Sequence, residues 1–245
     1  MNGHDCYIGD PASQVDDWMY QQLPDNCAVA AEASLINQFI PDGLSIGDAS
    51  YISAAHGWWQ PGMGTDPSEI GNMMDLYGIP NHTVTNASVE QLTMELQNGH
   101  GVIVGVNSGE LWDTGLLGEL KNFLIEAFGL DSSAFIGADH AVTVTGIDVS
   151  DPGNPMVILN DSGDPYGAGA SYPLDKFMDA WEHSDFYYTA TDVAIPDHAT
   201  ANSLNFDIGD FLGIGTTLLT GDVVTGTIVH DISDQINWDE ILMNL

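Results

Sequence analysis

The first half of the chain places apolar residues at helical spacing. Between Cys27 and Ile40 they recur every three to four positions, which predicts a helix that begins at Cys27. Asp25-Asn26 can cap this helix, and Pro41-Asp42-Gly43 ends it. The same spacing predicts three more helices, at 47–55, from Thr65 to Tyr77 and from Val89 to Leu96.

Further along the chain, β-branched apolar runs replace this spacing and indicate strands. They predict strands at 101–107, 140–149, 156–161 and 185–193. A short Gly/Pro/Asp turn joins the second and third into a hairpin. Two more helices are predicted, at 174–181 and around 116–128 within an insert at 108–138. Helices first and strands later predict an α+β fold, with a helical N-terminal half packed on an antiparallel sheet half.

The pattern changes again near residue 199. The runs FLGIGTTLL and VVTGTIVHDI indicate a hydrophobic segment and a strand that do not belong to the preceding pattern of helices and strands. We therefore divide the chain into a domain of residues 1–198 and a C-terminal extension of residues 199–245. The apolar side chains of the extension must be buried, either against their own domain or against a second copy of the chain. A homo-oligomer that assembles through residues 200–245 is one of these two expectations.

The charge balance excludes several classes of partner. Aspartate and glutamate number 36 against only Lys121 and Lys176, which gives a formal net charge of −34. Such a surface repels phosphate backbones and anionic lipids, so we expect neither nucleic acid nor a membrane as a partner. The sequence predicts no Sec-type signal peptide and no membrane span. An acidic, cation-poor chain suits an extracellular or high-salt setting, but the compartment stays open.

One cysteine stands where thiol chemistry is favoured. Cys27 opens a predicted helix, and the free N–H groups and dipole of a helix N-terminus lower the pKa of a thiol. His140 opens one strand of the predicted hairpin and Asp161 closes the other, so both lie at the same end. This order is typical of a nucleophile, its base and the residue that orients the base. The alternatives are a buried structural cysteine and a disulfide to Cys6.

Three segments occur in an order that carries a family resemblance: QQLPDNCAVAAEASLINQF, GADHAVTVTGID and MVILNDSG. Over residues 6–193 the chain resembles the papain-fold cysteine peptidases of the bacteriocin-processing type, the family-thirty-nine cysteine peptidases and their stand-alone relatives. The resemblance implies a papain-like α+β fold and hydrolysis of a peptide or isopeptide bond in a peptide or protein substrate. We expect no cofactor and no metal, because the sequence has neither a phosphate-binding glycine-rich motif nor a histidine pair with zinc-site spacing.

The resemblance also implies roles for four residues. Cys27 is the nucleophile, His140 is the base, Asp161 orients the base, and Gln21, six positions before Cys27, donates to the oxyanion. Gln22 is the neighbour that could be confused with Gln21. Asn160 is the alternative to Asp161, because papain uses an asparagine, and because Asp161-Ser162 stands where the family often has Asp-Pro.

Other polar residues have less specific interpretations. The remaining histidines lack the short spacing typical of zinc sites: His4, His56, His82, His100, His183, His198 and His230. The oxygen-rich turns at 148–154 and 160–169 suit either calcium or ordinary turn chemistry. Trp58-Trp59 either line a substrate cleft or pack on the core. The alternative function is a non-catalytic structural or interaction protein on the same scaffold, self-assembling through its C-terminal tail.

Overall fold

The computed structural model describes residues 7–40, 43–112, 138–151 and 153–196. Cys6, the helix predicted around 116–128 and the C-terminal extension at 199–245 lie outside these residues. The division of the chain near residue 198 and assembly through residues 200–245 therefore stay predictions.

The helices of the described residues follow the predicted order, with one interruption. They are α1 (Pro11–Gln14), α2 (Cys27–Phe39), α3 (Ile46–His56), α4 (Asn72–Leu76), α5 (Val89–Gln97), α6 (Ser108–Trp112) and α7 (Leu174–Glu182). Short 3₁₀ turns lie at Val15–Asp17 and Pro67–Glu69. The single helix predicted from Thr65 to Tyr77 is wrong, because Gly71 breaks it. Gly71 has φ +108°, and a Cβ there would lie 2.2 Å from Oδ1 of Asn81.

Most strands belong to one antiparallel sheet. The strands are β1 (Tyr7–Gly9), β2 (Trp59–Gln60), β3 (Gly64–Thr65), β4 (Asn81–Val84), β5 (His100–Val106), β6 (His140–Asp148), β7 (Met156–Asn160), β8 (Ala170–Pro173) and β9 (Tyr188–Ala194). The sheet runs β4-β9-β5-β6-β7-β8, and β1 pairs with β6. Strands β2 and β3 form a separate small hairpin. All four predicted strands are present, whereas the predictions missed β1, β4 and β8 of the large sheet and the small hairpin of β2 and β3.

The sheet separates two hydrophobic clusters. Along β5, Val102 and Val104 contribute to one cluster while Ile103 contributes to the other, as alternation along a strand requires. Helices α2, α3 and α4 cover the Ile103 face, whereas α5 and α7 cover the opposite face. The chain therefore has the predicted α+β arrangement, with an N-terminal helical layer packed on an antiparallel sheet. Within the described ranges, no helix combines the length and apolar character needed to cross a membrane.

Helix α2 carries one buried acid. Glu32 is 2% exposed, and its Oε1 accepts hydrogen bonds from the backbone N–H of Gly71 at 2.8 Å and of Met73 at 3.3 Å. These bonds tie the first turn of α4 to α2. Burial raises the pKa of Glu32 to about 7, although the backbone N–H groups act in the opposite direction. Ionisation of Glu32 is therefore less favourable in the folded chain than in the unfolded chain.

We expect Glu32→Gln to stabilise the protein above neutral pH. Because the folded-state pKa is raised, the contribution of Glu32 to wild-type stability is fully present below its ordinary pKa of 4.5 and is lost as pH rises through about 7. The glutamine keeps an acceptor for Gly71 and removes the charge. Urea unfolding at pH 8 should give a free energy of unfolding higher by on the order of 1–3 kcal/mol, with a smaller difference at pH 5. Glu182→Gln, at an exposed position of α7, is the matched control. A variant less stable than wild type at pH 8 would contradict this expectation.

Candidate active site

The turn before α2 fixes the position of Cys27. Asn26 is the N-cap residue, but its side chain makes no capping bond, unlike the prediction. Instead its Oδ1 accepts from the backbone N–H of Leu23 at 3.2 Å, and its Nδ2 donates to Oγ of Ser50 at 3.1 Å. Asn26 thus joins the incoming chain to α3 and holds Cys27 as the first residue of α2.

The thiol of Cys27 contacts His140. Burial alone would raise the pKa of Cys27, but the hydrogen bond and charge of His140 outweigh it, with help from the backbone N–H groups of Ala141 and Ala28. The pKa of Cys27 is therefore lowered. Cys27 is a free thiol in the structure. Cys6 lies outside the described residues, so the disulfide alternative stays untested.

The imidazole of His140 is paired on its other side with Asp161. Its Nε2 lies 2.7 Å from Oδ1 of Asp161, and because a carboxylate only accepts, the imidazole N–H donates. This bond leaves Nδ1 as the nitrogen for the thiol. Burial opposes charge on His140, but the hydrogen bonds to Asp161 and Cys27 outweigh it and raise its pKa to about 10.

Asp161 is fully buried and follows the last residue of β7. Burial would raise its pKa, but hydrogen bonds from His140, Trp112 and the backbone N–H of Gly163 outweigh burial and lower it. The carboxylate is therefore held in its charged form beside the imidazole. Cys27, His140 and Asp161 form one contiguous chain of contacts.

Asn160, the alternative orienting residue, faces away from the imidazole. Its Nδ2 donates to the carbonyl of Gln14 at 2.8 Å, and its Oδ1 accepts from the backbone N–H of Gly169 at 3.0 Å. Neighbouring strand residues alternate in direction, so only one of Asn160 and Asp161 can reach His140. The structure places Asp161 there.

Gln21 lies beside the residue that follows Asp161. Its backbone N–H donates to the carbonyl of Ser162 at 2.9 Å, and its Oε1 accepts from Oγ of Ser162 at 3.2 Å. Its Nε2 donates to the carbonyl of Leu23 at 3.0 Å, which uses one of the two amide hydrogens. Gln22 is exposed, whereas Gln21 is held between Ser162 and the turn that leads to Cys27.

Comparison with known proteins shows the family of this chain. The profile of the Peptidase_C39-like family matches residues 14–189. The chain belongs to the Peptidase_C39-like family. The matched range includes Gln21, Cys27, His140 and Asp161, and the match confirms the family suggested by the sequence resemblance.

The similar proteins include uncharacterized ones. An uncharacterized protein of Mycobacterium bovis and one of Mycobacterium tuberculosis are each 28% identical over 210 residues, which covers 75% of this chain and 83% of the relative. A crystal structure described as a candidate C39-like peptidase from Bacillus anthracis superposes with a TM-score of 0.48 at 15% identity. It covers 74% of this chain and 97% of that one.

The predictions missed two residues of this C39-like site. Trp112 of α6 donates its indole N–H to Oδ2 of Asp161 at 2.8 Å. Gly163 leaves room for two rings, because a Cβ there would lie 2.8 Å from Trp112 and 3.0 Å from His140. The spacing of Asn107 and Glu110, which form a helix cap, was a signal for α6 inside the predicted insert.

The other candidate residues of the C39-like chain have structural partners. Asp148, Asp151 and Asp164 each accept a backbone N–H from within their own turn. Across the described part of the chain, no three His, Cys, Asp or Glu side chains are arranged to hold a metal ion. Trp59 is buried in the core, and Trp58 packs partly buried against it.

Proposed function

We propose that this protein is a cysteine peptidase-like hydrolase that cleaves a peptide or isopeptide bond with Cys27, His140, Asp161 and Gln21. One observation carries the proposal: the thiol that opens α2 contacts an imidazole that donates to a buried carboxylate at 2.7 Å. A nucleophile, a base and an orienting acid in contact are the parts that acyl transfer requires. Family membership supports a peptidase-like scaffold for them.

The ionisation of the pair suits this chemistry. The pKa of Cys27 is lowered and that of His140 is raised, because each stabilises the charged form of the other. The pair therefore favours thiolate and imidazolium near neutral pH. Asp161 stabilises the imidazolium and fixes which ring nitrogen faces the sulfur.

Hydrolysis then proceeds in two halves. The thiolate of Cys27 attacks the substrate carbonyl carbon, and the oxyanion receives hydrogen bonds from the Cys27 backbone N–H and the amide of Gln21. His140 gives its proton to the leaving amine, and the C–N bond breaks to leave a thioester. Neutral His140 then takes a proton from water, whose oxygen attacks the thioester. The C–S bond breaks, which releases the acid and restores the thiolate of Cys27 beside the imidazolium of His140.

Alkylation by iodoacetamide tests this proposal without a known substrate. Because its pKa is lowered, Cys27 should react at pH 6 at least about tenfold faster than Cys6, with the labelled peptides assigned by mass spectrometry. Denaturation in urea should make the two rates similar. A Cys27 no faster than Cys6 in the native protein would contradict the hydrolase and favour the non-catalytic scaffold.

A further inference from the structure

The carboxylate of Asp161 accepts hydrogen bonds from three nitrogen donors. Oδ1 accepts from Nε2 of His140 at 2.7 Å and from the backbone N–H of Gly163 at 2.9 Å. Oδ2 accepts from the indole Nε1 of Trp112 at 2.8 Å. Asp161 is fully buried, so these donors replace the water that would otherwise solvate its charge.

These three donors require, at position 161, a side chain whose two polar atoms both accept hydrogen bonds. An indole N–H and a backbone N–H can only donate, and Nε2 of an imidazole bonded to a carboxylate also donates. A carboxamide has one accepting oxygen and one donating NH₂ group. If its oxygen faced His140 and Gly163, its NH₂ group would face the indole N–H of Trp112, donor against donor. Trp112 is therefore the group that distinguishes an acid from an amide at position 161.

Helix α6 holds Trp112 in this position. Asn107 caps the helix by accepting the backbone N–H of Glu110 at 3.0 Å. Asp139, next to His140 in the chain, accepts the backbone N–H of Ser108 at 2.7 Å and its hydroxyl at 3.1 Å. The indole ring of Trp112 then lies 5.3 Å from the imidazole ring of His140. The chain thus fixes the indole relative to both His140 and Asp161.

We propose that Trp112 is a positioning residue that acts through Asp161: its indole N–H orients the carboxylate toward His140 and makes an acid necessary at position 161. This inference rests on the proposed thiol chemistry. Trp112 touches neither substrate nor sulfur in this scheme. Tyr172 of β8 also faces the carboxylate, and burial followed by the charge of Asp161 raises the pKa of its hydroxyl, so it stays a neutral donor.

A double-mutant cycle tests the role of Trp112. The second-order rate of Cys27 alkylation by iodoacetamide is measured at pH 7 for wild type, Trp112→Phe, Asp161→Asn and the double variant. Phenylalanine keeps an aromatic ring and removes the donor. We expect Trp112→Phe to lower the rate about tenfold when residue 161 is aspartate, and to leave it unchanged or raise it when residue 161 is asparagine. The donor clash predicted for asparagine explains this rescue.

The control separates positioning from packing. Trp58→Phe makes the same substitution at a tryptophan whose ring centroid lies 4.3 Å from that of His56. It should change the alkylation rate by the same factor with aspartate and with asparagine at position 161. Circular dichroism checks that each variant is folded, and Trp112→Leu replaces Trp112→Phe if the latter does not fold. If Trp112→Phe changes the alkylation rate by the same factor with aspartate and with asparagine at position 161, this inference is overturned. A wild-type Cys27 without enhanced reactivity overturns the proposed function instead.

Discussion

Replacement of Cys27 by alanine is expected to lower peptide hydrolysis by at least about 10⁴-fold, because the sulfur forms the acyl bond and no neighbouring group replaces it. Alanine is well suited to the first turn of a helix, so α2 should persist. The measurement is the cleavage rate of a fluorogenic peptide library by the full chain, with thermal unfolding as the test of folding.

Cys6→Ala is the matched control for this experiment. It removes the other thiol of the chain and should leave the rate unchanged, since the proposed mechanism uses only Cys27. Retention of cleavage by a folded Cys27→Ala variant would remove Cys27 from the mechanism. A loss in both variants would point to a thiol requirement outside the Cys27–His140 pair.

Replacement of Asp161 by alanine is expected to have the second largest effect. The imidazole of His140 would lose the acceptor 2.7 Å from Nε2, and with it the support for its charged form. We expect kcat to fall by between about 10² and 10⁴ with a smaller change in KM, because the carboxylate acts on the base rather than on substrate. Steady-state kinetics on the library's best peptide would measure both constants.

Asn160→Ala is the control for Asp161→Ala. Asn160 is the adjacent buried residue, and its bonds go to Gln14 and Gly169 rather than to His140. Its loss should lower the free energy of unfolding by on the order of 1–3 kcal/mol but change kcat of the folded enzyme little. If Asn160→Ala lowered kcat more than Asp161→Ala did, the orienting role would belong to Asn160.

The sequence contained enough information to predict the elements whose signals are local. The helix that begins at Cys27 and the hairpin of β6 and β7 each depend on an apolar repeat within a few residues. The order of Cys27, His140 and Asp161 then predicted the site, because hairpin geometry brings the start of one strand to the end of the next. These contacts follow from short-range patterns and from the family resemblance.

Three strands of the large sheet that the sequence did not reveal depend on the strands with which they pair. Tyr7 pairs with Asp148, Asn81 with Thr191, and Ala170 with Leu159. These strands have three or four residues and no clear alternation, so the sheet edge they join determines their conformation. Their positions could not be read from their own residues.

Some details of the predicted elements and site also depend on the assembled fold. The strand predicted at 185–193 begins only at Tyr188, because Asp185 and Phe186 have φ of +55° and +51° and extend the turn after α7. Trp112 was missed because its partner Asp161 is distant in the chain and its helix has only five residues. A hydrogen bond between such residues is a property of the assembled fold.

The pairing of Val106 with His140 has a consequence for how this protein can change over evolution. The register of β5 and β6 fixes the position of the His140 imidazole. The hydrogen bonds from Ser108 to Asp139 join the two ends of the segment that connects these strands. Loop closure entropy grows only logarithmically, about 0.6 kcal/mol for each doubling of length. Changes of length between residues 113 and 137, after Trp112 and before the strand that carries His140, therefore add little to the cost of closing this connection and keep the register of His140.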